Sequence, residues 1–419
     1  MAIYTKEEAR KILEKTLSFS KADACEVNLN GSNSGNIRYA RNTVSTSGYS
    51  SNQTLVVQSS FGKKSGTATI DEFDDASLEK VVRRAEELAR LSPENPEFME
   101  PLGPQQYDES ASYIEKTAKV SPEYRAQVAK SSIDPAAARD VTAAGYFNDS
   151  EGFSAMMNSN GLFAYNQSTN VDFTVTMRTN DGTGSGWVSR DYNDVSKFDA
   201  SQASKTAIDK AVLSREAKAI EPGKYTVILE PAASAGLLQN MFSAFSARAA
   251  DEGRNFMSAP DGGNKLGQKI VDERVTFWSD PLHPDVPTAT WNGAGQPLKK
   301  TMWIENGVVK NLAYSRYWAK QKGVDPVPFP SGGIMAGGDA SLEDLIRSTR
   351  KGILVTRLWY IRSVDPQTLL YTGLTRDGTF YIENGAIKYP VKNFRFNESP
   401  IIMLNNLETL GQQVRINGN

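Results

Sequence analysis

The chain has 419 residues, of which 39% are hydrophobic and 23% charged, a composition typical of a globular protein with two or three domains. Its 47 Lys and Arg residues nearly balance 49 Asp and Glu, giving a formal net charge of −2. That balance gives no electrostatic reason to expect nucleic acid or an anionic membrane as a partner. No apolar run approaches the ~20 residues of a membrane-spanning helix, and the charged, amphipathic N-terminus differs from a signal peptide.

The residue types that usually bind transition metals are nearly missing. Cys25 and His283 are the only cysteine and histidine. Because zinc sites usually combine several such ligands, the chain cannot build a typical zinc site from its own side chains. A carboxylate-only Mg²⁺ or Ca²⁺ site stays open, although no DxDxDG-type loop occurs. A single cysteine excludes an internal disulfide framework and favours a reducing, cytoplasmic location.

The first block, 1–105, is predicted to be a domain built as helix, strand meander and helix. A capping box at Thr5–Glu8 starts the first helix, and the second covers about 76–91. Between them, β-rich stretches at 24–29, 36–44 and 53–59 predict three short strands, because glycines such as Gly31 and Gly35 interrupt the pattern. Four prolines in 92–106 predict a linker or a strap across the surface.

The second block, 106–220, is predicted to be a central domain. Ser121-Pro122 is a helix start, and 201–213 is predicted to be a second helix. Strands are expected at 141–148, 153–157 and 162–177. The Asn160-Gly161 pair predicts a type I′ turn, since Asn-Gly tolerates the two positive φ values that this turn needs.

The third block, 221–419, opens on the most informative stretch of the chain. Residues 225–229 predict a strand, and Ser234 or a residue just before it caps the helix that follows. One face of that helix is apolar and carries Leu237, Leu238, Met241, Phe242 and Phe245. The other face is polar but uncharged, and carries Gln239, Asn240, Ser243 and Ser246. Such a face favours a partly buried groove, with packing against neighbouring polar backbone as an equal alternative.

Two copies of Ile-Glu-Asn-Gly, at 304–307 and 382–385, predict tight hairpin turns rather than a catalytic role. A helix is expected to begin at Ser341, and 353–361 is predicted to be one apolar strand.

Several of these segments resemble the TldD/PmbA family of peptide-processing proteins. The resemblance covers nearly the whole chain, is tightest after Glu221 and is loosest between Pro93 and Ser150. Gly66-Thr67-Ala68-Thr69, Asn158–Leu162 and Leu237-Leu238 carry it, and its most specific part is the run formed by Thr372-Gly373, Asp377–Phe380 and Lys388–Lys392. In the catalytic branch of the family, a His-Glu-x-x-x-His zinc motif follows the Leu-Leu pair. Here Gln239 and Ala244 stand at the two histidine positions and Asn240 at the glutamate. The cysteine ligand that the branch uses further along is also missing, so the chain resembles the PmbA (TldE) type, which lacks the zinc motif.

The resemblance implies an α+β fold in which mostly antiparallel sheets are flanked by helices, with a larger β-rich C-terminal domain. It also implies a metal-free, non-catalytic subunit of a complex that cleaves unfolded or modified peptides. Zinc is then expected only in a TldD-type partner, and an extended peptide is expected to bind by strand addition. Gln239, Asn240 and Ala244 would mark the vestigial metal site, and Gln239, Asn240 and Ser243 would line the groove. A homodimeric or stand-alone peptide-binding protein remains the alternative.

Other candidate chemistry is weaker. A hydrolase centred on His283 would need a nucleophile elbow, and no Gly-x-Ser-x-Gly occurs. Cys25 is expected to be a small buried residue. The acid pairs Asp251-Glu252 and Asp272-Glu273 are expected to be solvated, so no catalytic residue is assigned. The family has also been called a modulator of DNA gyrase, but the scattered basic pairs form no patch for DNA.

Overall fold

The structure, a computed structural model, describes residues 3–329 and 331–416. It is an α+β protein with mostly antiparallel sheets, as predicted. Its first unit contains α1 (Lys6–Ser18), β1 (Ala24–Ala40), β2 (Thr43–Phe61), β3 (Lys64–Ile70) and α2 (Asp75–Leu91). The capping box at Thr5 is present, because its hydroxyl accepts from the Glu8 N–H and the Glu8 carboxylate accepts in return from the Thr5 N–H.

The prediction of three short strands in this unit was wrong. Two long strands replace them, and the glycines lie inside strands rather than at turns. A Cβ on Gly31 would lie 2.3 Å from the Phe153 ring, and one on Gly35 would lie 1.8 Å from the Arg125 guanidinium. These glycines therefore serve the close approach of side chains from neighbouring elements, which a turn-based interpretation of glycine misses.

The second unit continues the same sheet. It contains α3 (Glu115–Ala118), α4 (Pro122–Ala137), β4 (Val141–Asn158), β5 (Phe163–Thr179), β6 (Ser185–Tyr192) and α5 (Ala200–Leu213). The strands expected at 141–148 and 153–157 are one continuous strand, β4, which pairs with β1 over most of its length. The sheet order is β3-β2-β1-β4-β5-β6, so blocks 1–105 and 106–220 share one six-stranded antiparallel sheet.

The β4–β5 connection is not the predicted type I′ turn. Gly161 has a positive φ of 86°, but Asn160 does not belong to the residues with positive φ. Instead the Asn158 side-chain oxygen accepts from the N–H groups of Asn160 and Leu162, 3.0 and 3.2 Å away. The side chain of Asn158 therefore organises a slightly longer loop.

The proline-rich segment 92–114 forms no helix or strand and lies as a strap, as predicted. Asn158 donates to the Leu102 carbonyl oxygen at 2.9 Å, which attaches the strap to the sheet. Its Glu97 accepts two 2.8 Å hydrogen bonds from Arg248, and its Tyr107 hydroxyl donates to the Gly295 carbonyl oxygen at 2.6 Å. The strap thus joins the long sheet to the C-terminal unit.

The C-terminal unit is built from many short elements. Its helices and strands are β7 (Thr226–Leu229), α6 (Pro231–Leu238), α7 (Ala247–Asp251), β8 (Phe277–Ser279), β9 (Thr301–Glu305), β10 (Val308–Val309), α8 (Arg316–Lys322), β11 (Ile334–Met335), α9 (Leu342–Ser348), β12 (Lys351–Val355), β13 (Leu358–Asp365), β14 (Leu370–Thr375), β15 (Thr379–Glu383), β16 (Ala386–Pro390), β17 (Arg395–Glu398) and α10 (Pro400–Asn405). Its three sheets have the orders β10-β9-β8-β11, β16-β15-β12-β7 and β13-β14-β17. The β7–β12 pair is parallel.

Both Glu-Asn-Gly hairpins are confirmed: φ is 48° and 78° at Asn306 and Gly307, and 51° and 74° at Asn384 and Gly385. The single strand predicted over 353–361 was wrong, since the chain passes there from β12 in one sheet to β13 in another. The helix expected from Ser341 is α9, which begins with a capping box. Among the described residues, none of the helices has both the length and the apolar character that crossing a membrane requires.

Candidate functional site

A cleft of about 2350 Å³ opens in the C-terminal unit and reaches the end of β6. Its walls include β7, β11 and β17, each of which is the outermost strand of its own sheet. Every residue of these three strands lines the cleft. An outermost strand presents backbone N–H and C=O groups that have no strand partner on one side. The cleft is therefore walled by backbone edges that can pair with an extended chain.

The segment after β7 begins as predicted but does not continue as one helix. Pro231 at the first helical position starts α6, and the chain tightens at Gln239 into a 3₁₀ helix, Gln239–Phe245. The predicted cap is wrong: Glu230 holds the cap position, and Ser234 lies inside α6. The Ser234 hydroxyl donates back to the Leu229 carbonyl oxygen at 3.3 Å, so the side chain supports the strand–helix connection.

The predicted apolar face of this segment packs on the core, although two of its residues, Leu238 and Phe242, are only half-buried and also line the cleft. Leu237, Met241 and Phe245 are buried. The rings of Phe245 and the fully buried Trp303 lie 5.4 Å apart, centre to centre. These side chains anchor the segment in the core of the C-terminal unit, and the anchor determines which way the polar residues point.

The vestigial metal-site positions are not brought together. Gln239 is exposed and lines the cleft, whereas Ala244 is buried in the core. A 3₁₀ helix turns by about 120° per residue, so positions five apart lie about 120° apart around its axis. Asn240 is half-buried, and its side-chain amide nitrogen donates a 2.9 Å hydrogen bond to the Gly236 carbonyl oxygen.

Of the three residues predicted to line a groove, Gln239 lines this cleft. Asn240 and Ser243 are not among the residues that line the cleft. Ser243 is exposed, and its hydroxyl donates to the Asn240 carbonyl oxygen at 3.1 Å. The alternative that the sequence left open, packing against neighbouring polar backbone, describes these two residues, because Ser, Asn and their like readily bond to nearby backbone in short helical turns.

The residues at these positions do not fit a zinc ion. Ala244 offers no donor atom, and the Asn240 amide is occupied by backbone oxygens. Among residues 3–329 and 331–416, His, Cys, Asp and Glu form no group of three or more that could hold a metal. Zinc needs three or four such ligands, so no step of metal-assisted chemistry is assigned to this chain.

His283 lies in the loop between β8 and β9, at the rim of the cleft. Its Nδ1 accepts a 3.2 Å hydrogen bond from the backbone N–H of Asp285. The Asp285 carboxylate, in turn, forms an ion pair with Lys197 at 3.3 Å. A catalytic triad would orient the imidazole with a carboxylate and place a hydroxyl at its other nitrogen, and within residues 3–329 and 331–416 neither arrangement surrounds His283.

Cys25 and the paired acids have structural roles. Cys25 is 1% exposed in the core of the first unit, and burial raises the pKa of its thiol. The Asp251 carboxylate accepts from the Trp318 indole N–H at 2.8 Å, and Glu252 pairs with Arg248. Asp272 pairs with Arg274 at 2.8 Å. The expectation that both pairs are solvated was wrong for Asp251, whose side chain is 5% exposed. Glu273 pairs with Lys269 at 3.2 Å, so each of the four acids has a partner.

Sequence reasoning missed the contribution of residues 407–416 to the cleft. This segment forms part of the wall and brings Arg415 to the end of β6, where its guanidinium meets Asp191. A signal was present in Gly337-Gly338 and Gly411, since clustered glycines mark places where backbones approach closely. The partner of that approach lies about seventy residues away along the chain, and a single sequence does not reveal it.

Comparisons with known proteins agree with this geometry. Three family models match in order: PmbA/TldA metallopeptidase domain 1 over residues 25–89, the central domain over 100–215 and the C-terminal domain over 222–419. The chain is 24% identical to a metalloprotease of Methanothermobacter thermautotrophicus over 64% of its own length, and this match spans only 62% of that relative. It is 22% identical to the metalloprotease PmbA of Escherichia coli O157:H7, covering 99% of this chain and 94% of PmbA.

Among solved structures, TldE from Thermococcus kodakarensis superposes with a TM-score of 0.87 at 20% identity, covering 96% of this chain and 94% of TldE. That likeness shows the fold. Taken with the three domain models, which follow one another along nearly all of the sequence, it leads to one assignment. The chain belongs to the PmbA/TldD metallopeptidase family.

Proposed function

We propose that this chain is the metal-free, non-catalytic subunit of a TldD/TldE-type metallopeptidase complex that processes or degrades unfolded or modified peptides in the cytoplasm. One observation carries the proposal: a cleft walled by three strand edges coincides with a segment whose zinc positions hold Gln239, Asn240 and Ala244. The cleft suits peptide capture, and the segment lacks the ligands for hydrolysis.

The shape of the cleft supports an extended peptide as the ligand. The edges of β7 and β17 offer backbone groups for pairing, and side chains of alternate residues give the pairing its selectivity. Val227 on β7 is 45% exposed and lies in the cleft wall, so an apolar side chain of the peptide could pack against it. A chain that pairs with these edges must be extended and free of strand partners of its own, which is why unfolded or modified peptides are the proposed class.

Hydrolysis of such a peptide requires an activated water or a nucleophile. His283, Cys25 and the paired acids have the structural contacts described above, and none forms a catalytic arrangement. We therefore assign the metal-activated water to a zinc-bearing, TldD-type homologue that forms a heterodimer with this chain. This chain would complete the partner's cavity and help to admit the peptide.

A stand-alone or homodimeric peptide-binding protein without protease activity is the second candidate. The same cleft favours it, because the strand edges of β7, β11 and β17 need no partner in order to bind a peptide. The two candidates differ in assembly and in metal content, and both can be measured.

The test is co-expression of this chain with a homologue that carries an intact His-Glu-x-x-x-His motif, followed by affinity purification on a tag placed on this chain alone. We expect a 1:1 complex by light scattering, with about one zinc per complex and none in this chain purified by itself. Homodimers that ignore the homologue would favour the second candidate. Stoichiometric zinc in this chain alone would contradict both.

A further inference from the structure

Residues 407–416 lie in the cleft as an extended segment that pairs with the continuation of β11. The Gly338 N–H donates to the Gly411 carbonyl oxygen at 2.8 Å, and the Gln412 N–H donates to the Ala340 carbonyl oxygen at 2.9 Å. The Gln413 side chain also donates to the carbonyl oxygen of Met335, at the end of β11, at 2.6 Å. This chain has thus added an extended segment of its own beside one of the three strand edges of the cleft.

Glycines make that approach possible. A Cβ on Gly338 would lie 2.3 Å from the Leu410 carbonyl oxygen, and one on Gly337 would lie 2.8 Å from the Gln413 nitrogen. Both distances are below any normal contact with backbone atoms. An alanine at 338 would therefore push the segment away without replacing any residue at the far end of the cleft.

At the other end of the cleft, near the end of β6, Arg415 binds in a polar pocket. Its guanidinium donates four hydrogen bonds: two to the Asp191 carboxylate at 2.6 and 3.2 Å, one to the Asn193 side-chain oxygen at 2.7 Å and one to the Asp285 carbonyl oxygen at 2.6 Å. The Arg415 and Asp191 side chains are 15% and 19% exposed. The pocket therefore holds a planar, five-donor cation in a largely desolvated position, which suits guanidinium better than ammonium.

We propose that Asp191, Asn193 and the Asp285 carbonyl form a subsite for the arginine side chain of an extended peptide, and that residues 407–416 occupy this subsite until such a peptide replaces them. The inference rests on the proposed peptide-binding function and adds the class of peptide. Removal of Arg415 leaves a mostly buried carboxylate without its cation, and an arginine of the incoming peptide restores the same hydrogen bonds.

Residues 407–416 are part of the same chain as the subsite, and this covalent link determines how strongly they compete with a free peptide. A segment linked to its own site acts at an effective concentration in the millimolar range, so a free peptide at micromolar concentration competes at a disadvantage. The apparent affinity of the peptide falls by the fraction of molecules whose subsite is free. Variants that release the segment should consequently bind arginine peptides more tightly than the unaltered chain.

The test uses the full chain and two labelled eight-residue peptides that alternate Thr and Val around one central residue, which is arginine in one and citrulline in the other. Citrulline keeps the shape of arginine and removes its charge. Fluorescence anisotropy measures both affinities for the unaltered chain, Arg415→Ala and Gly338→Ala. Arg350→Ala and Gly293→Ala are the matched controls, because Arg350 is exposed and a Cβ on Gly293 would meet nothing within 4 Å.

We expect Arg415→Ala and Gly338→Ala to bind the arginine peptide at least about fivefold more tightly than the unaltered chain. The citrulline peptide should gain less, the controls should not change, and Asp191→Asn in the Arg415→Ala background should remove the preference for arginine. Equal affinity of both peptides for Arg415→Ala, or no gain over the unaltered chain, overturns the subsite while peptide binding itself stands. If neither peptide binds any version, the subsite is overturned together with the peptide-binding role.

Discussion

The two halves of the molecule differ in what lies beside the outermost strands of their sheets. In the six-stranded sheet, a helix packs closely on the face of each outermost strand: a Cβ on Gly66 of β3 would lie 2.2 Å from the Ala89 nitrogen of α2, and one on Gly186 of β6 would lie 2.2 Å from the Ala207 carbonyl oxygen of α5. In the C-terminal unit, one outermost strand of each sheet (β7, β11 and β17) faces a cleft instead.

Strand length follows the same division. β1 and β4 have 17 and 18 residues and pair with each other along most of that length, whereas β7 and β17 have four residues each. Long strands with two partners satisfy their backbone groups within the fold. Short outer strands leave theirs for another chain. We infer that the first half is a scaffold and that the second half, which contains the cleft, is where this chain meets a ligand.

The largest expected effect is on the scaffold. Phe147 on β4 is fully buried, and its ring lies 5.5 Å from that of Phe198. Phe147→Ala should lower the free energy of unfolding by about 3–5 kcal/mol, because it leaves a cavity in a packed core. Urea denaturation followed by circular dichroism measures this loss. Phe396→Ala, on the half-buried cleft strand β17, is the control, and an equal loss at both sites would contradict the division into scaffold and binding surface.

A second, smaller effect tests the helix contact at the edge of the long sheet. Gly186→Ala places a methyl group against the backbone of α5 and should destabilise the fold by about 1–3 kcal/mol. Gly293→Ala, whose Cβ meets nothing within 4 Å, should change the stability by less than about 0.5 kcal/mol. Thermal unfolding measures the melting temperatures of the two variants under the same conditions. Similar melting temperatures would mean that α5 can shift away from β6 at little cost in stability.

The third prediction addresses the cleft. Val227→Lys puts a charge on the exposed edge of β7 and should weaken the binding of an extended peptide about tenfold, which corresponds to about 1.4 kcal/mol. Val364→Lys is the matched control, because Val364 is also an exposed valine of an outer strand, β13, but lies away from the cleft. Anisotropy titrations compare the two. A similar loss in both variants would show that the strand edges of the cleft have no special role.

The smallest effect concerns the strap between the halves. The Tyr107 hydroxyl donates to the Gly295 carbonyl oxygen, and burial raises the pKa of Tyr107 from 10.0 to about 12. Tyr107→Phe should cost about 1 kcal/mol near pH 8. Because the folded pKa is raised, the contribution of Tyr107 is complete below pH 10 and is lost as the pH rises through about 12.

Chemical denaturation of both proteins between pH 8 and pH 12 measures that difference, which should shrink as the pH rises. A difference that stays constant over this range would mean that the Tyr107 phenol does not titrate while it contacts Gly295.

Whether a feature of the fold could be predicted depends on how far apart in the sequence the residues that produce it lie. The capping box at Thr5, the hairpins at Asn306 and Asn384 and the strap at 92–106 depend on residues close in sequence, and all were predicted. The continuity of β1 and β4 was not predicted, because Gly31 and Gly35 are explained by Phe153 and Arg125, which come from distant segments.

The candidate site divides in the same way. The apolar anchor Leu237, Met241 and Phe245 was visible as periodicity, but the change from α6 to a 3₁₀ helix at Gln239 was not. Likewise, the cleft depends on which strands are outermost in their sheets. That is a property of topology, which no local pattern carries.

The most direct test of the central claim is a titration of peptidase activity. A fluorogenic, unfolded peptide is offered to this chain alone with added zinc, to a homologue with the intact zinc motif alone, and to mixtures of the two. We predict no cleavage by this chain alone and a rate that rises with added chain until the ratio reaches 1:1. Cleavage by this chain alone, together with stoichiometric bound zinc, would contradict the account.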